Sequence, residues 1–189
     1  TWVPPKKINT MRRVRSVASI IFKKPFGKYI APGFFLNPSR RPRMSYVFPL
    51  LKYFHRTRQI RKFYDKNATI HCDNSNSLAL FLHHQPEAST MPMSGFFSDQ
   101  LLILDMILQA LPKDMAVYVK EHPLMFEQFA QDYHERSVEF YEHMLRDPRV
   151  HLVERSFDSH QLIRNVKYVA SSNGSISWEA MRIGKPAII

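Results

Sequence analysis

Three short polar clusters in the sequence contain residue types that bind anions and transfer protons. They are residues 83–87 (His-His-Gln-Pro-Glu), residues 120–123 (Lys-Glu-His-Pro) and residues 171–175 (Ser-Ser-Asn-Gly-Ser). Each cluster directly follows a short apolar run that is typical of a buried strand. Because ligands bind at the carboxyl ends of parallel strands, which share one edge of a sheet, we expect the three clusters to form one site.

The third cluster has the composition of a phosphate-binding turn. Small hydroxyl side chains and a glycine let backbone N–H groups approach an anion, and the start of the following helix attracts negative charge. The residues with this predicted role are Ser171, Ser172, Asn173, Gly174 and Ser175. An ordinary helix N-cap is the alternative interpretation, and the spacing of a Walker loop is absent.

Glu179 falls in the first turns of the helix predicted after this cluster. A carboxylate beside a phosphate site can accept hydrogen bonds from both hydroxyls of a ribose, as acidic residues do in dinucleotide sites. A solvated helix glutamate is the alternative.

The second cluster places a cation and an imidazole at a strand end. His122 can donate a hydrogen bond to a phosphate, or act as a general acid or base near neutral pH. Lys120 can stabilise a negatively charged leaving group, and Pro123 fits the first position of a helix. The alternative is a capped turn in which His122 bonds to the backbone.

The first cluster offers a loop amide and a carboxylate. Gln85 and Glu87 flank Pro86 and could orient an acceptor hydroxyl or supply a base. Turn chemistry set by Pro86 is the alternative.

Neither metal nor cysteine chemistry is predicted. His83 and His84 are adjacent on an extended segment and point to opposite faces, so with His122 they are poor joint ligands. The single cysteine, Cys72, excludes a disulfide framework, suits a reducing compartment and is interpreted as a packed thiol.

The elements that must position these clusters alternate along the second part of the chain. Strands are predicted at residues 78–82, 116–119, 150–153, 168–170 and 187–189. Helical faces recur between them, and their apolar residues are Phe97, Leu101, Leu104, Leu108, Leu111, Phe126, Phe129, Ala130, Tyr133, Tyr141, Leu145, Ile176, Ala180 and Ile183. The predicted fold is α/β, a Rossmann-like parallel sheet flanked by helices.

Caps support several of these helices. Ser137 is predicted to cap one helix, residues 158–161 form a capping box for another, and Gly184 ends the last.

The net charge of +11 is divided unevenly along the 189 residues. Residues 1–66 contain 17 of the 27 basic residues and one acidic residue, and the remainder is mildly acidic. Seven prolines interrupt the front segment, which is predicted to be irregular with two basic helices at residues 11–22 and 48–64. We therefore predict a basic linker or domain end over residues 1–75 and a Rossmann-like domain over residues 76–189.

The chain is expected to continue past both ends. No apolar run in the sequence is long enough to span a membrane.

In order and spacing, the motifs across residues 76–189 resemble those of bacterial capsule polysaccharide biosynthesis proteins. The resemblance rests on residues 81–90 (FLHHQPEAST), 97–101 (FSDQL), 111–112 (LP), 119–123 (VKEHP), 171–180 (SSNGSISWEA) and 184–186 (GKP). Those proteins are glycosyltransferases of the GT-B architecture, related to Kdo transferases and sialyltransferases that carry QP and HP motifs.

The resemblance implies that residues 76–189 are the C-terminal, nucleotide-sugar-binding half of a GT-B enzyme. It implies that His122 and Pro123 contact the nucleotide phosphate, that residues 171–175 bind it too, and that Glu179 binds the ribose. Gln85 would lie in the QP motif near the cleft. The nucleotide-sugar, expected to be CMP-linked, would be a co-substrate without metal or cofactor, and the acceptor would be a surface polysaccharide or lipid-linked glycan.

Other functions remain open on the sequence. A nucleotide-sugar epimerase of similar architecture is one alternative. A nucleic-acid-binding module is another, since aromatic residues lie among the basic residues of the front segment, although no RRM, KH or helix-turn-helix signature accompanies them. The enzyme is expected in the cytoplasm, where the basic segment could rest against an anionic inner membrane or attract an acidic glycan.

Overall fold

The computed structural model describes residues 47–69, 76–85, 94–126, 136–172 and 174–188. Internal contacts divide the chain into two compact units, Thr1–Leu51 and Lys52–Ile189. Within the described ranges, no helix combines the length and the apolar character needed to cross a membrane. The predicted helix over residues 11–22 lies outside these ranges.

The second unit contains a six-stranded sheet in which every neighbouring pair of strands is parallel. Its strands are β1 (Ala68–Thr69), β2 (Ser77–Phe81), β3 (Ala116–Lys120), β4 (Val150–Val153), β5 (Tyr168–Ser171) and β6 (Ala187–Ile188), in the spatial order β1-β4-β3-β2-β5-β6. Central β2 pairs on both sides, with Leu80 opposite Val119 in β3 and opposite Ala170 in β5. The predicted α/β, Rossmann-like fold is confirmed.

Among the described residues, five α-helices accompany the sheet. They are α1 (Val47–Asn67), α2 (Gln100–Ala110), α3 (Val138–Met144), α4 (Ser159–Asn165) and α5 (Ser175–Arg182). Two short 3₁₀ turns cover Gly95–Ser98 and Pro123–Phe126. The predicted N-caps at Ser137 and Asp158 are confirmed, since the Ser137 hydroxyl accepts from the N–H of Phe140 and the Asp158 carboxylate from that of Gln161.

Successive residues of the strands point into two separate apolar cores, one on each face of the sheet. In β2, Leu78 and Leu80 contribute to one core, whereas Ala79 and Phe81 contribute to the other. All five residues of β2 are buried, because a parallel strand covered on both faces has no solvated side. This double burial explains why the predicted strands are continuous apolar runs.

The unit that carries the sheet begins earlier than the predicted domain boundary after residue 75. Helix α1 places Ile60 and Tyr64 in the first core, and β1 pairs with β4 through Ala68 and Leu152. The helix predicted over residues 48–64 is present as α1, but the basic and proline-rich composition of the front segment led to its assignment to a linker. Residues assigned to the linker therefore form part of the Rossmann-like unit.

Three predicted helix boundaries differ in the structure. Phe97 lies half exposed in a 3₁₀ turn, because the Asp99 side chain caps α2 and starts it at Gln100. Pro123 begins a 3₁₀ turn rather than an α-helix. Ile183 is 54% exposed instead of facing the core, since α5 ends at Arg182 before Gly184.

Candidate functional site

The strand order places a topological switch point between β2 and β5. The chain proceeds from β2 outward to β3 and β4, then returns to the other side of β2 to form β5 and β6. The loops after β2 and β5 consequently leave the sheet in opposite directions and open a crevice at its carboxyl edge. Ligands of doubly wound sheets bind in this crevice.

The two loops at the switch point approach each other closely at Gly174. A Cβ atom on Gly174 would lie 3.0 Å from Cε1 of His83, which is tighter than ordinary contact. The φ angle of Gly174 is −98°, so its conformation does not require glycine. The need for glycine here is therefore the space taken by the histidine ring.

A cleft of about 350 Å³ lies at this edge of the sheet. Its lining combines residues after three strands with the first residues of two helices: Phe81, Leu82, His83, His84, Lys120, Glu121, His122, Pro123, Ser159, Gly174, Ser175 and Ile176. Members of all three predicted clusters thus meet in one cavity. The rings of His84 and His122, which both line it, are neighbours with centroids 5.6 Å apart and planes inclined at 57°.

The start of α5 supplies the part of the cleft best suited to an anion. Gly174 occupies the N-cap position without a side-chain cap, leaving the first-turn N–H groups without that partner. Unbonded N–H groups at a helix start attract negative charge. Ser172 is not among the residues that line the cleft, and its buried hydroxyl oxygen lacks a hydrogen-bond partner among the described residues.

The other serines of the predicted phosphate turn have structural partners. The hydroxyls of Ser171 and Ser177 lie 2.8 Å apart, and Ser177 donates to the Ile188 carbonyl, so this pair ties β5, α5 and β6 together. The Ser175 hydroxyl donates to Oε1 of Glu179 over 3.2 Å. Asn173 lies outside the described residues.

Glu179 is not among the described residues that line the cleft. Its carboxylate accepts from Ser175 and lies 3.5 Å from Nδ1 of His160 on α4. The side chain is 36% exposed at the outer rim of the helix start. Its predicted ribose contact remains a prediction.

Lys120 lines the cleft but directs its ammonium into the protein. Nζ donates to the carbonyls of Glu154 and Arg155 at 2.9 and 2.8 Å, and the residue is 2% exposed. These two bonds join the end of β3 to the loop after β4. The geometry therefore supports a role for Lys120 in holding the cleft wall, in contrast to the predicted contact with a leaving group.

Behind the cleft lies a buried polar network that no sequence motif indicated. At its centre, Nε of Arg136 donates to Oε2 of Glu121 at 2.8 Å, with side chains 3% and 0% exposed. Tyr141 donates to the same oxygen at 2.6 Å. Oε1 of Glu121 accepts from the backbone N–H of His122 at 2.8 Å.

The same arginine reaches the loop after β2. Its terminal nitrogens contact the His83 carbonyl at 3.0 Å and the side-chain oxygens of Gln85 and Gln100 at 3.3 Å each. Gln85 in turn donates to the Ser98 carbonyl at 2.7 Å. Gln85 is thus a buried residue that braces the loop, and it does not line the cleft.

Burial and charge fix the protonation states in this network. Burial, followed by the nearby charge of Glu121, raises the pKa of both Tyr64 and Tyr141 far above the usual range. Burial alone would lower the pKa of Arg136, but the charge and hydrogen bonds of Glu121 and Tyr141 outweigh it and raise this pKa. Both tyrosines are therefore permanent donors, and the arginine is permanently charged.

The signal that could have revealed this network was weak. Glu121 lies inside a recognised cluster, but charged residues are rarely fully buried, so its type and position do not indicate such a role. Arg136 is 15 positions away in sequence, and no local pattern links the two. The predicted site residue Glu87 and the predicted packed thiol Cys72 both lie outside the described residues.

The described residues contain no group of three or more metal-ligating side chains. Neither the models of known protein families nor the curated proteins include a match to this chain.

Proposed function

We propose that the protein is a metal-independent glycosyltransferase that binds a nucleotide-sugar in the cleft at the switch point. The observation that most strongly supports this proposal is the meeting of His84, His122 and the start of α5 in one cavity. That cavity combines two imidazoles with the positive end of a helix, at the edge where doubly wound sheets bind nucleotides. The motif resemblance to capsule polysaccharide biosynthesis proteins supplies the reaction class.

The phosphate of the donor would bind at the start of α5. The N–H groups of the first turn, beginning at Ser175, offer the donors, and the predicted phosphate contact of Ser172 stays a prediction. The imidazole of His122, which also lines the cleft, offers a further donor. Gly174 keeps this approach open, because any side chain there would meet His83.

In the proposed reaction, the bond between the anomeric carbon and the phosphate oxygen breaks, and the phosphate keeps the electron pair. The acceptor hydroxyl oxygen bonds to that carbon and gives its proton to a base, for which Glu87 is the candidate. His122 and the start of α5 stabilise the charge that develops on the leaving phosphate. Because these donors are fixed by the fold, they need little reorganisation during the reaction.

Two experiments would test this function. Calorimetry would measure the binding of CMP and UDP to the full chain. Mass analysis would identify the products after incubation with CMP- and UDP-sugars and a glycan acceptor. We expect nucleotide binding that weakens at least tenfold in His122→Ala. The matched control is His151→Ala, which removes an exposed histidine from β4 outside the cleft lining. No binding by the unaltered protein, or equal activity of His122→Ala, would refute the proposal, and an altered sugar without an acceptor adduct would indicate an epimerase.

We also propose a partner for the outer face of α1, namely the anionic surface of the inner membrane, which implies a cytoplasmic enzyme. Exposed Lys52, Arg58, Lys62 and Lys66 lie on this helix. Its one acidic residue, Asp65, is bonded to Arg155 at 2.7 and 3.1 Å. The exposed face is thus strongly positive, which favours contact with anionic lipid headgroups.

A further inference from the structure

The buried Arg136–Glu121 pair contacts both histidine-bearing loops of the cleft at their backbones. Glu121 accepts from the N–H of His122 at 2.8 Å, and Arg136 donates to the carbonyl of His83 at 3.0 Å. His83 directly precedes His84 in the sequence. One ion pair therefore links the loop that carries His84 to the loop that carries His122.

Gln100 strengthens the hold on the loop after β2. Its Oε1 accepts from the N–H of His83 at 2.9 Å, and its Nε2 donates to the carbonyl of His83 at 3.1 Å. The same Oε1 accepts from Arg136 at 3.3 Å. Both backbone groups of His83 are therefore fixed by side chains of the network.

The third side of the network comes from helices on one face of the sheet. Tyr141 on α3 donates to Glu121, and the Tyr64 hydroxyl on α1 accepts from the backbone N–H of Glu121 at 3.3 Å. Tyr64 also donates to the carbonyl of Val153 at 2.7 Å. Glu121 is thus bonded through its backbone and both carboxylate oxygens, which leaves it little freedom to move.

Stability is a poor explanation for such a pair. Removing two charges from water is costly, and apolar residues of similar volume often stabilise a protein as well or better. What an ion pair supplies that apolar packing does not is directional bonding, and here the bonds end on the backbone beside the cleft histidines. The placement of these loops is therefore what the network provides beyond apolar packing.

We infer that Arg136 and Glu121 are positioning residues that fix the separation and orientation of His84 and His122. The consequence for catalysis rests on the proposed function, whereas the effect on the two rings does not. The network acts on the two rings through bonds to the backbone of the loops that carry them. A ligand that bridges the two rings would then find them already arranged.

Histidine NMR on the full chain, labelled with ¹⁵N in its imidazoles, gives a readout that a purely structural role would not change. In Arg136→Lys the charge remains, but one ammonium cannot reproduce the fork of bonds to Glu121, Gln85, Gln100 and His83. We expect the ring resonances of His84 and His122 to shift or broaden, and CMP affinity to fall at least tenfold. The control is Arg149→Lys, which alters an arginine–carboxylate pair at the amino end of β4.

The double variant Arg136→Met/Glu121→Gln separates positioning from folding, because it removes both charges together. We expect cooperative unfolding and displaced His84 and His122 resonances. Unchanged resonances in a folded double variant would overturn the inference. If the unaltered protein bound no nucleotide while Arg136→Lys still displaced the two rings, the positioning role would stand and the proposed function would fail.

Discussion

Lys120 shows how a charged residue that lines a cleft can bond to the backbone of the protein itself. Its ammonium bonds to two backbone carbonyls of the loop after β4. The sequence places a lysine at a strand end, which indicates an anion contact, but sequence does not specify which way the side chain turns. Here the nearby loop offers two acceptors, and burying the ammonium without them would be costly.

Replacing Lys120 by methionine keeps most of the alkyl stem and removes both hydrogen bonds. We expect the free energy of unfolding to fall by about 2 kcal/mol, since hydrogen bonds to charged groups contribute roughly 1.5–3 kcal/mol. Urea denaturation measures this change, and Lys62→Met on the exposed face of α1 should stay within about 0.5 kcal/mol. Unchanged stability together with a large loss of nucleotide affinity would show that the ammonium serves the ligand instead.

A second residue-scale prediction concerns the turn before β4. Side-chain and backbone hydrogen bonds from Arg149 hold the pKa of Asp147 at about 2, below its usual value. Because the pKa is lowered in the folded state, this carboxylate stabilises the protein fully above its unfolded pKa of about 4. That contribution is lost as the pH falls from about 4 to about 2.

NMR titration of the Asp147 carboxyl group checks this prediction. Arg149→Gln should raise the pKa of Asp147 toward its usual value, because it removes the main hydrogen-bond donor. Lys113→Gln should raise it much less, since Lys113 acts only through its charge and contributes least. Equal shifts in the two variants would mean that general charge, rather than the hydrogen bonds, sets the pKa.

At the scale of elements, the cleft depends on the close approach of the loops after β2 and β5. Gly174→Ala places a methyl group 3.0 Å from the His83 ring, while the backbone of residue 174 stays in an allowed region. We expect His83 to move and nucleotide affinity to fall by about tenfold, equivalent to about 1.4 kcal/mol. The change in unfolding free energy should be small by comparison.

Gly184→Ala is the matched control, because it has the opposite physical profile. Gly184 has a φ of +79° and open space where a methyl group would lie, so alanine there is strained without a clash. It should cost about 1 kcal/mol of stability and leave nucleotide affinity unchanged, as measured by calorimetry and urea denaturation. The role given to Gly174 would be contradicted if Gly184→Ala lowered nucleotide affinity while Gly174→Ala lowered only the free energy of unfolding.

The elements also show which parts of the fold can be predicted from the sequence. Strands β2 to β5 are buried on both faces and appear as apolar runs, so four strand positions were predicted to within one or two residues. Strand β1 contains two residues, Ala68 and Thr69, too few to show any periodicity. Its place in the sheet depends on pairing with β4, which is 84 positions away in the register that joins Ala68 to Leu152.

The candidate site could be predicted from the sequence only in part, for a related reason. Position at a strand end brought His122, Gly174 and Ser175 to the cleft as predicted. The same rule also selected Gln85, whose side chain turns away into the Arg136 network. Strand position determines where a residue lies, whereas side-chain direction depends on partners that are distant in sequence.

At the scale of the whole molecule, the positive charge is carried by particular surfaces rather than spread evenly. Within the described residues, part of this charge lies on the outer face of α1. The opposite face of this helix packs Ile60 and Tyr64 into the core. A helix fixed in this way presents its lysines and arginines outward without further ordering. The proposed contact with an anionic membrane would therefore require little conformational entropy.

Cosedimentation of the full chain with vesicles tests this contact. We expect binding to phosphatidylglycerol-containing vesicles at low salt, little binding to phosphatidylcholine alone, and release at 0.5 M salt, where charges are screened beyond about 4 Å. Changing Lys52, Arg58, Lys62 and Lys66 to glutamine should weaken partitioning into the vesicles at least tenfold, since each basic residue near an anionic surface contributes about 1 kcal/mol.

A control variant removes the same amount of charge from exposed positions elsewhere, by changing four other basic residues to glutamine, and should weaken partitioning less. These residues are Lys113, Arg146, Arg164 and Arg182. Equal weakening by both sets would show that net charge, and not the face of α1, governs binding.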